Sequence, residues 1–375
     1  MTNVTSDLTP RADSFLTVDL GAVVANWAQL RDRVAPAECS AVVKADAYGL
    51  GVARVVPALA AAGCRTFVVA QFEEALAVRR ALEPVAPQAQ VFSLGGMPPG
   101  CEGEFLANRI LPVLNHLSGI ASWRAFAASR GEVLPAVVHI DTGMNRLGLG
   151  PDELDDLAAH PEWLEGIDVR YWMTHLACAE DFDNPMNGEQ LDRFRDALAR
   201  LPKAKASFAN SSGIFHGKDY HFDLARPGCA LYGVNPTPRL PNPMRGTVRL
   251  DARLLQVRNC ASPMTVGYAA AHKVTGPVRI ATIGIGYADG YMRSLGGKGH
   301  VFVDGVAAPI VGRISMDLIT IDVTGLPESV AHAGRMVELI GPNRPVDRVA
   351  EEAGTIGYEI MTSLGRRYHR VYVGA

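Results

Sequence analysis

From about residue 13 to 244, short apolar runs rich in β-branched residues alternate with segments of helical period. The apolar runs fall at 41–44, 66–70, 91–94, 110–114, 136–140, 169–175, 204–209 and 225–232. Between them, segments such as 50–62, 73–82, 119–129, 152–159 and 188–201 space their apolar residues as one helix face does. Eight strand candidates alternating with helices predict a (β/α)8 barrel of the TIM type, with a doubly wound open sheet as the alternative. The texture changes after Pro236. Four prolines between 236 and 243 read as a linker, and beyond it strand-like runs follow one another without helices, at 247–258, 278–284, 300–303, 308–311, 318–323 and 336–340. Asp304-Gly305, between two of these runs, is a hairpin signal. The pattern predicts a barrel over 15–244 followed by a smaller, mostly-β domain over 245–375.

Composition narrows the class of function. A chain of 375 residues, 48% hydrophobic and 20% charged, has the balance of a soluble globular protein with a large core. A net charge of -3 gives no general attraction to nucleic acid or to an anionic membrane. The first residues have neither a basic nor an apolar signal region, and no apolar run reaches transmembrane length. The six cysteines are scattered singly, without a CxxC pair, so neither a zinc site nor a disulfide framework is expected and a reducing cytoplasm fits best. The histidines show no metal-ligand spacing, and no metal is expected.

Candidate chemistry gathers where the predicted strands end. Lys44 closes the run Ala41-Val42-Val43, at the face where barrel enzymes place catalytic groups. A partly desolvated lysine amine loses basicity and attacks aldehydes; the plainer reading is a lysine whose ammonium reaches the rim of the sheet. Arg226-Pro227-Gly228-Cys229 and Asn210-Ser211-Ser212-Gly213 supply the small residues, hydroxyls and exposed amides of a late-barrel phosphate site, although Ser-Ser-Gly alone also suits an ordinary loop. Arg146, in the loop after Asp141-Thr142-Gly143, suits a carboxylate or phenolate and equally suits solvent. His175, closing another run, fits a polar network or a satisfied core position. In the β domain, the glycines of Ile283-Gly284-Ile285-Gly286-Tyr287 fail the spacing of a dinucleotide fingerprint, and Gly296-Gly297-Lys298-Gly299 fails as a phosphate loop.

The order of these motifs resembles that of the alanine racemases over nearly the whole chain. Carrying the resemblance are Val43-Lys44-Ala45-Asp46-Ala47-Tyr48-Gly49, Asp141-Thr142-Gly143-Met144 with Arg146, Thr174-His175, Asn210-Ser211, Arg226-Pro227-Gly228, Val266-Gly267-Tyr268, Ile285-Gly286-Tyr287-Ala288-Asp289-Gly290 and Gly312-Arg313-Ile314-Ser315-Met316-Asp317. The resemblance implies a homodimer with shared active sites, interconversion of L- and D-alanine with pyridoxal 5'-phosphate, and a supply of D-alanine for peptidoglycan. It implies that residues 1–14 join the β domain. Lys44 would hold the coenzyme and act as base on one face of the substrate, and Tyr268 of the partner subunit would act on the other. Tyr48, Asn210, Ser211, Gly228 and Cys229 would bind the phosphate region. Arg226 would face the pyridine nitrogen, with His175 linking it toward Tyr268, and Arg146 would meet the coenzyme phenolate and the substrate carboxylate. From the partner subunit, Met316 would bind the carboxylate through its backbone, Asp317 would lie near Tyr268, and Tyr287 would narrow the entrance.

The residue types suit racemisation, which removes and returns one proton on opposite faces and so needs two flanking bases. An arginine at the ring nitrogen, unable to act as an acid there, leaves that nitrogen unprotonated and disfavours transamination. One departure stands out: many members of the family carry a carbamylated lysine two residues before the Asp of Asp-Thr-Gly, and here that place is His139. The rival readings are a serine or broad-spectrum racemase, whose relatives usually carry an export signal, a pyridoxal-dependent decarboxylase, which would place an acid where Arg226 stands, and a non-enzymatic coenzyme carrier, which would lack the β domain.

Overall fold

The structure, a computed structural model, describes residues 11–261 and 263–374. Most of the expected segment 1–14 therefore lies outside the described residues. The chain divides into two compact units. One comprises Val23–Leu231 with Asn235–Arg245; the other takes the described residues before Val23, Tyr232–Val234 and those from Gly246 onward.

In the first unit, parallel strands follow one another in sequence order: Ala41–Val42, Thr66–Val69, Gln90–Ser93, Ile110–Leu114, Leu134–His139, Ile167–Met173 and Lys205–Ser207. Leu224–Ala225 closes the circuit. It runs parallel to Glu38–Cys39, the segment leading into the first strand, and Ser40 N donates to Ala225 O at 3.0 Å. On its other side Asp223 N donates to Ala206 O at 3.0 Å and Arg226 N to Ala209 O at 2.8 Å. The sheet thus has no free edge, which decides for the barrel over the open doubly wound sheet. Strands buried on both faces have no polar side to alternate with, and Thr66–Val69 and Ile110–Leu114 are buried at every residue. The helix Phe72–Leu82 packs Ala75, Val78 and Leu82 inward and opens with a capping box between Gln71 and Glu74. Helices Leu20–Val34 and Glu102–Ala107 were not among the expected segments. Residues 236–243, read as a linker, belong to this unit.

The second unit is built on one long strand, Val248–Cys260. Its first half pairs antiparallel with Ser14–Asp19 and Met336–Ile340, and its second half with Val278–Ile283. Ser14–Asp19 also pairs in parallel with His369–Val373, so the division between units falls at Ala22, later than residue 14. The strands His300–Val303 and Val306–Pro309 meet at Asp304-Gly305, both with positive φ, as the hairpin signal predicts. Two short helices, Val346–Ala353 and Gly357–Ser363, follow the last of the expected strands and were not among the expected segments.

Candidate active site

Lys44 stands two residues past the first barrel strand, just after Val43, whose N still donates to Val68 O at 2.8 Å. The backbone after it is unusual. Ala45, Asp46, Ala47 and Tyr48 all have φ between 52° and 55°, forming a left-handed turn closed by Gly49. Each residue bearing a Cβ resists this conformation by about 1–2 kcal/mol, so the turn needs outside support. Bonds from Ala47 N to Val43 O, 3.0 Å, and from Gly49 N to Ala45 O, 2.7 Å, supply part of it. Asp46 Oδ1 accepts from Val52 N at 2.7 Å, tying the turn to the start of helix Val52–Ala61. Glu74 Oε1 accepts from Ala45 N at 2.6 Å. The Lys44 amine is half-buried, and burial, then the Arg146 guanidinium, hold its pKa below the ordinary lysine value.

Behind Lys44 lies a cluster of cations and imidazoles. Arg226 is 4% exposed and donates to Ser207 Oγ, to Thr174 O at 2.5 Å and to His175 Nδ1 at 3.4 Å. Burial pushes its pKa down to about 10, leaving it charged at neutral pH. Accepting that bond requires a neutral His175, whose pKa burial and Arg226 hold well below the usual value. His139 is buried beside them, its pKa lowered to about 4 by burial and then by Arg226. Its Nδ1 meets Asn115 Oδ1 at 2.8 Å. The Asn115 amide donates to Leu94 O at 3.0 Å and Val113 O at 3.2 Å, so its oxygen must face the ring and His139 Nδ1 must carry the proton. Arg146 is exposed on a loop turned by Asp141, whose Oδ1 accepts from Gly143 N at 2.8 Å and Met144 N at 2.9 Å. Thr142 and Thr174 share a 2.8 Å hydroxyl bond, and Gln190 bridges Thr142 to His175 O.

A second group of donors gathers at the end of Leu224–Ala225. Ser211, 4% exposed, accepts at Oγ from Gly228 N at 2.9 Å and Ala230 N at 3.3 Å. The Tyr48 ring covers Gly228 so closely that a Cβ there would lie 2.3 Å from the Tyr48 oxygen. Cys229 opens a short turn, Cys229–Tyr232, and is buried. Asn210 is turned to its own loop, accepting from Gly213 N at 2.9 Å. Two hydroxyls and main-chain amides, with no carboxylate in the group, are the donor set of an anion site.

In the second unit Tyr268 lies at the tip of the hairpin Met264–Val266 and His272–Val274 and is 72% exposed. It lines a cavity of about 320 Å³ with Tyr287, Arg293, Arg313, Ile314 and Ser315. Met316 O accepts from Ala288 N at 3.0 Å, holding the Tyr287 turn against the Ser315–Met316 backbone. Asp317 pairs with Arg367 at 2.8 Å, a partner the sequence did not suggest. Sequence reasoning also missed Asn115, Ser207 and Glu74. Asn115 and Glu74 follow barrel strands closely, Asn115 directly after Ile110–Leu114, so the strand-end rule that singled out Lys44 was the available signal.

Comparison with known proteins agrees across both units. Residues 18–236 match the family model described as alanine racemase, N-terminal domain, and residues 247–372 the one described as alanine racemase, C-terminal domain. The chain is 50% identical over 365 residues to an alanine racemase of Rhodospirillum rubrum, covering 97% of each protein. It is 47% identical over 362 residues to a catabolic alanine racemase of Agrobacterium fabrum, covering 96% of this chain and 92% of that protein. The crystal structure of an alanine racemase from Bartonella henselae, solved with covalently bound pyridoxal phosphate, superposes with a TM-score of 0.93 at 45% identity, over 96% of this chain and 100% of that one.

Proposed function

We propose, for a chain that belongs to the alanine racemase family, that Lys44 and Tyr268 are the two bases with which it interconverts L- and D-alanine on pyridoxal phosphate. The residues present fit that coenzyme. Lys44 offers an amine of lowered basicity, Ser211, Tyr48 and the amides after Pro227 suit the phosphate, and Arg226, a buried cation, would meet the coenzyme ring in place of an acid. The single observation that carries the reading is this pairing of a half-buried lysine with a buried arginine whose partners are two oxygens and a neutral imidazole.

When bound, pyridoxal phosphate delocalises the electron pair left at the substrate Cα. Lys44 anchors it and moves the Cα proton on one face, and the partner subunit's Tyr268 moves it on the other. A phenol needs cationic neighbours to serve as a base near neutral pH, and His175 joined to Arg226 is suited to transmit that influence. Arg226 would donate to the ring nitrogen without protonating it, which would keep the electron sink weak and favour racemisation over transamination. Arg146 would receive the substrate carboxylate with the main chain of the partner subunit's Met316, while the partner subunit's Tyr287 would narrow the entrance and the partner subunit's Asp317 would lie near the partner subunit's Tyr268. Exposure of Tyr268 on a hairpin tip supports a homodimer in which each chain completes the other's site.

A site with two bases runs in both directions, so the destination of the D-alanine depends on the cell. The similar proteins include both an alanine racemase and a catabolic alanine racemase. Among the described residues no helix is long and apolar enough to cross a membrane. The test is a coupled assay of L- and D-alanine interconversion by the purified protein with pyridoxal phosphate, run beside serine and lysine. Alanine should turn over fastest. Borohydride reduction followed by peptide mapping should place the coenzyme on Lys44, and a label on any other lysine would remove Lys44 from its role.

A further inference from the structure

We propose, on the reading of Lys44 as the coenzyme lysine, that Glu74 is its positioning residue, stapling the left-handed turn that begins beside Lys44 to the end of the neighbouring strand. The Glu74 carboxylate makes three bonds to main-chain amides. Its Oε2 accepts from Ala70 N at 2.8 Å and Gln71 N at 3.0 Å, which joins the end of strand Thr66–Val69 to helix Phe72–Leu82. Its Oε1 turns the other way and accepts from Ala45 N at 2.6 Å. One carboxylate therefore spans two adjacent strand ends, and the amide it holds belongs to the residue following Lys44.

The bond falls where the backbone is least able to support itself. Ala45 is the first of five consecutive residues with positive φ, and only the last of them, Gly49, is glycine. Left to local preference, Ala-Asp-Ala-Tyr would leave this region and carry the Lys44 backbone with it. Asp46 secures the far end of the turn through Val52 N, and Glu74 secures the near end. A cap alone would need only the Oε2 bonds; reaching Ala45 is a second task for the same side chain. No neutral isostere does both. A glutamine keeps one acceptor oxygen and presents an amide N–H to whichever backbone N–H the other oxygen served.

The test uses the full chain, with and without pyridoxal phosphate, and the variants Glu74→Gln and Glu74→Ala. In the coenzyme-free protein, hydrogen exchange in the peptide covering 44–51 should accelerate at least tenfold in both variants. Coenzyme uptake, followed by absorbance, should slow by a similar factor, and kcat should fall with KM for alanine little changed. Ala45→Gly placed in the Glu74→Gln background should recover much of the uptake rate, since glycine enters the left-handed region without a Cβ clash. If the carboxylate serves only as a helix cap, exchange will rise at 70–75 alone and Ala45→Gly will rescue nothing, which overturns the proposal; unchanged exchange at 44–51 in Glu74→Gln overturns it as well. Should Glu74→Ala fail to fold, Glu74→Gln carries the test. Failure of Lys44 as the attachment point would show separately, in the peptide map, with the exchange result standing.

Discussion

Gly228→Ala isolates the contact that closes the proposed phosphate cradle. The new Cβ would lie 2.3 Å from the Tyr48 oxygen, 3.1 Å from its Cζ and 3.5 Å from its Cε2. The first distance is far inside contact, so the ring must move. Tyr48 has little room to do so, being 6% exposed and held by a backbone already in the left-handed region. Forcing an extra methyl into such packing costs about 1–3 kcal/mol. At about 2 kcal/mol in a unit of roughly 200 residues, the unfolding midpoint of the coenzyme-free protein should drop by roughly 4–8 °C. Tyr48→Phe removes the atom at 2.3 Å and leaves only the 3.1 Å approach, which a small shift relieves. In the Gly228→Ala background it should therefore recover about 1 kcal/mol or more, a coupling well outside the roughly 0.5 kcal/mol scatter of independent sites. Pyridoxal phosphate titration separates packing from binding. The double variant should regain stability yet bind the coenzyme more weakly than the parent, having lost a hydroxyl from the cradle. Additive stabilities, or a Gly228→Ala protein as stable as the parent, would refute the reasoning from the contact.

Three further outcomes are expected. Tyr268→Phe should take up pyridoxal phosphate with its usual colour and lose racemisation by roughly 10²–10⁴-fold, the range of a general acid–base group; full retention in the alanine assay removes Tyr268 from the mechanism. His139, neutral in the folded protein with its pKa near 4, takes a proton near pH 6.5 once unfolded. Its contribution is complete above about pH 6.5 and is lost as pH falls toward about 4, amounting to about 3 kcal/mol over that window; urea unfolding of His139→Gln should lose this part of the acid dependence, and parallel pH curves would count against it. Arg226→Leu should leave Thr174 O and the Ser207 hydroxyl short of a buried donor, lowering stability by about 2–4 kcal/mol, measurable as a fall in the midpoint of thermal unfolding.

These predictions rest on residues of two kinds, and only one kind was legible in the sequence. The barrel strands were visible because burial on both faces leaves an uninterrupted apolar run, as at Thr66–Val69. Lys44, Arg226 and Tyr268 were proposed because the order of the motifs that hold them resembles that of the alanine racemases. Ser14–Asp19 went to the wrong domain because its partners, Val248–Cys260 and His369–Val373, lie more than 200 residues away and no local pattern reports them. Helix Val346–Ala353 buries Val346, Val349 and Ala350, a helical spacing that was there to be read beyond the last expected strand. The left-handed turn is hidden more deeply. Ala-Asp-Ala-Tyr disfavours that conformation at every position, and the bonds that impose it come from Glu74 and from Val52 N. Asn115 belongs with Glu74: each acts by satisfying a group on another element, so neither has a motif of its own. Asn115 nevertheless sits just past a barrel strand, and Glu74 in the first turn of the helix that follows one. A barrel brings such positions together at one mouth whatever their spacing in sequence, so every polar residue there is a candidate for the site once the strands are placed. Applied to each strand in turn and not only to the one ending in lysine, that rule reaches the supporting residues as well as the reacting ones.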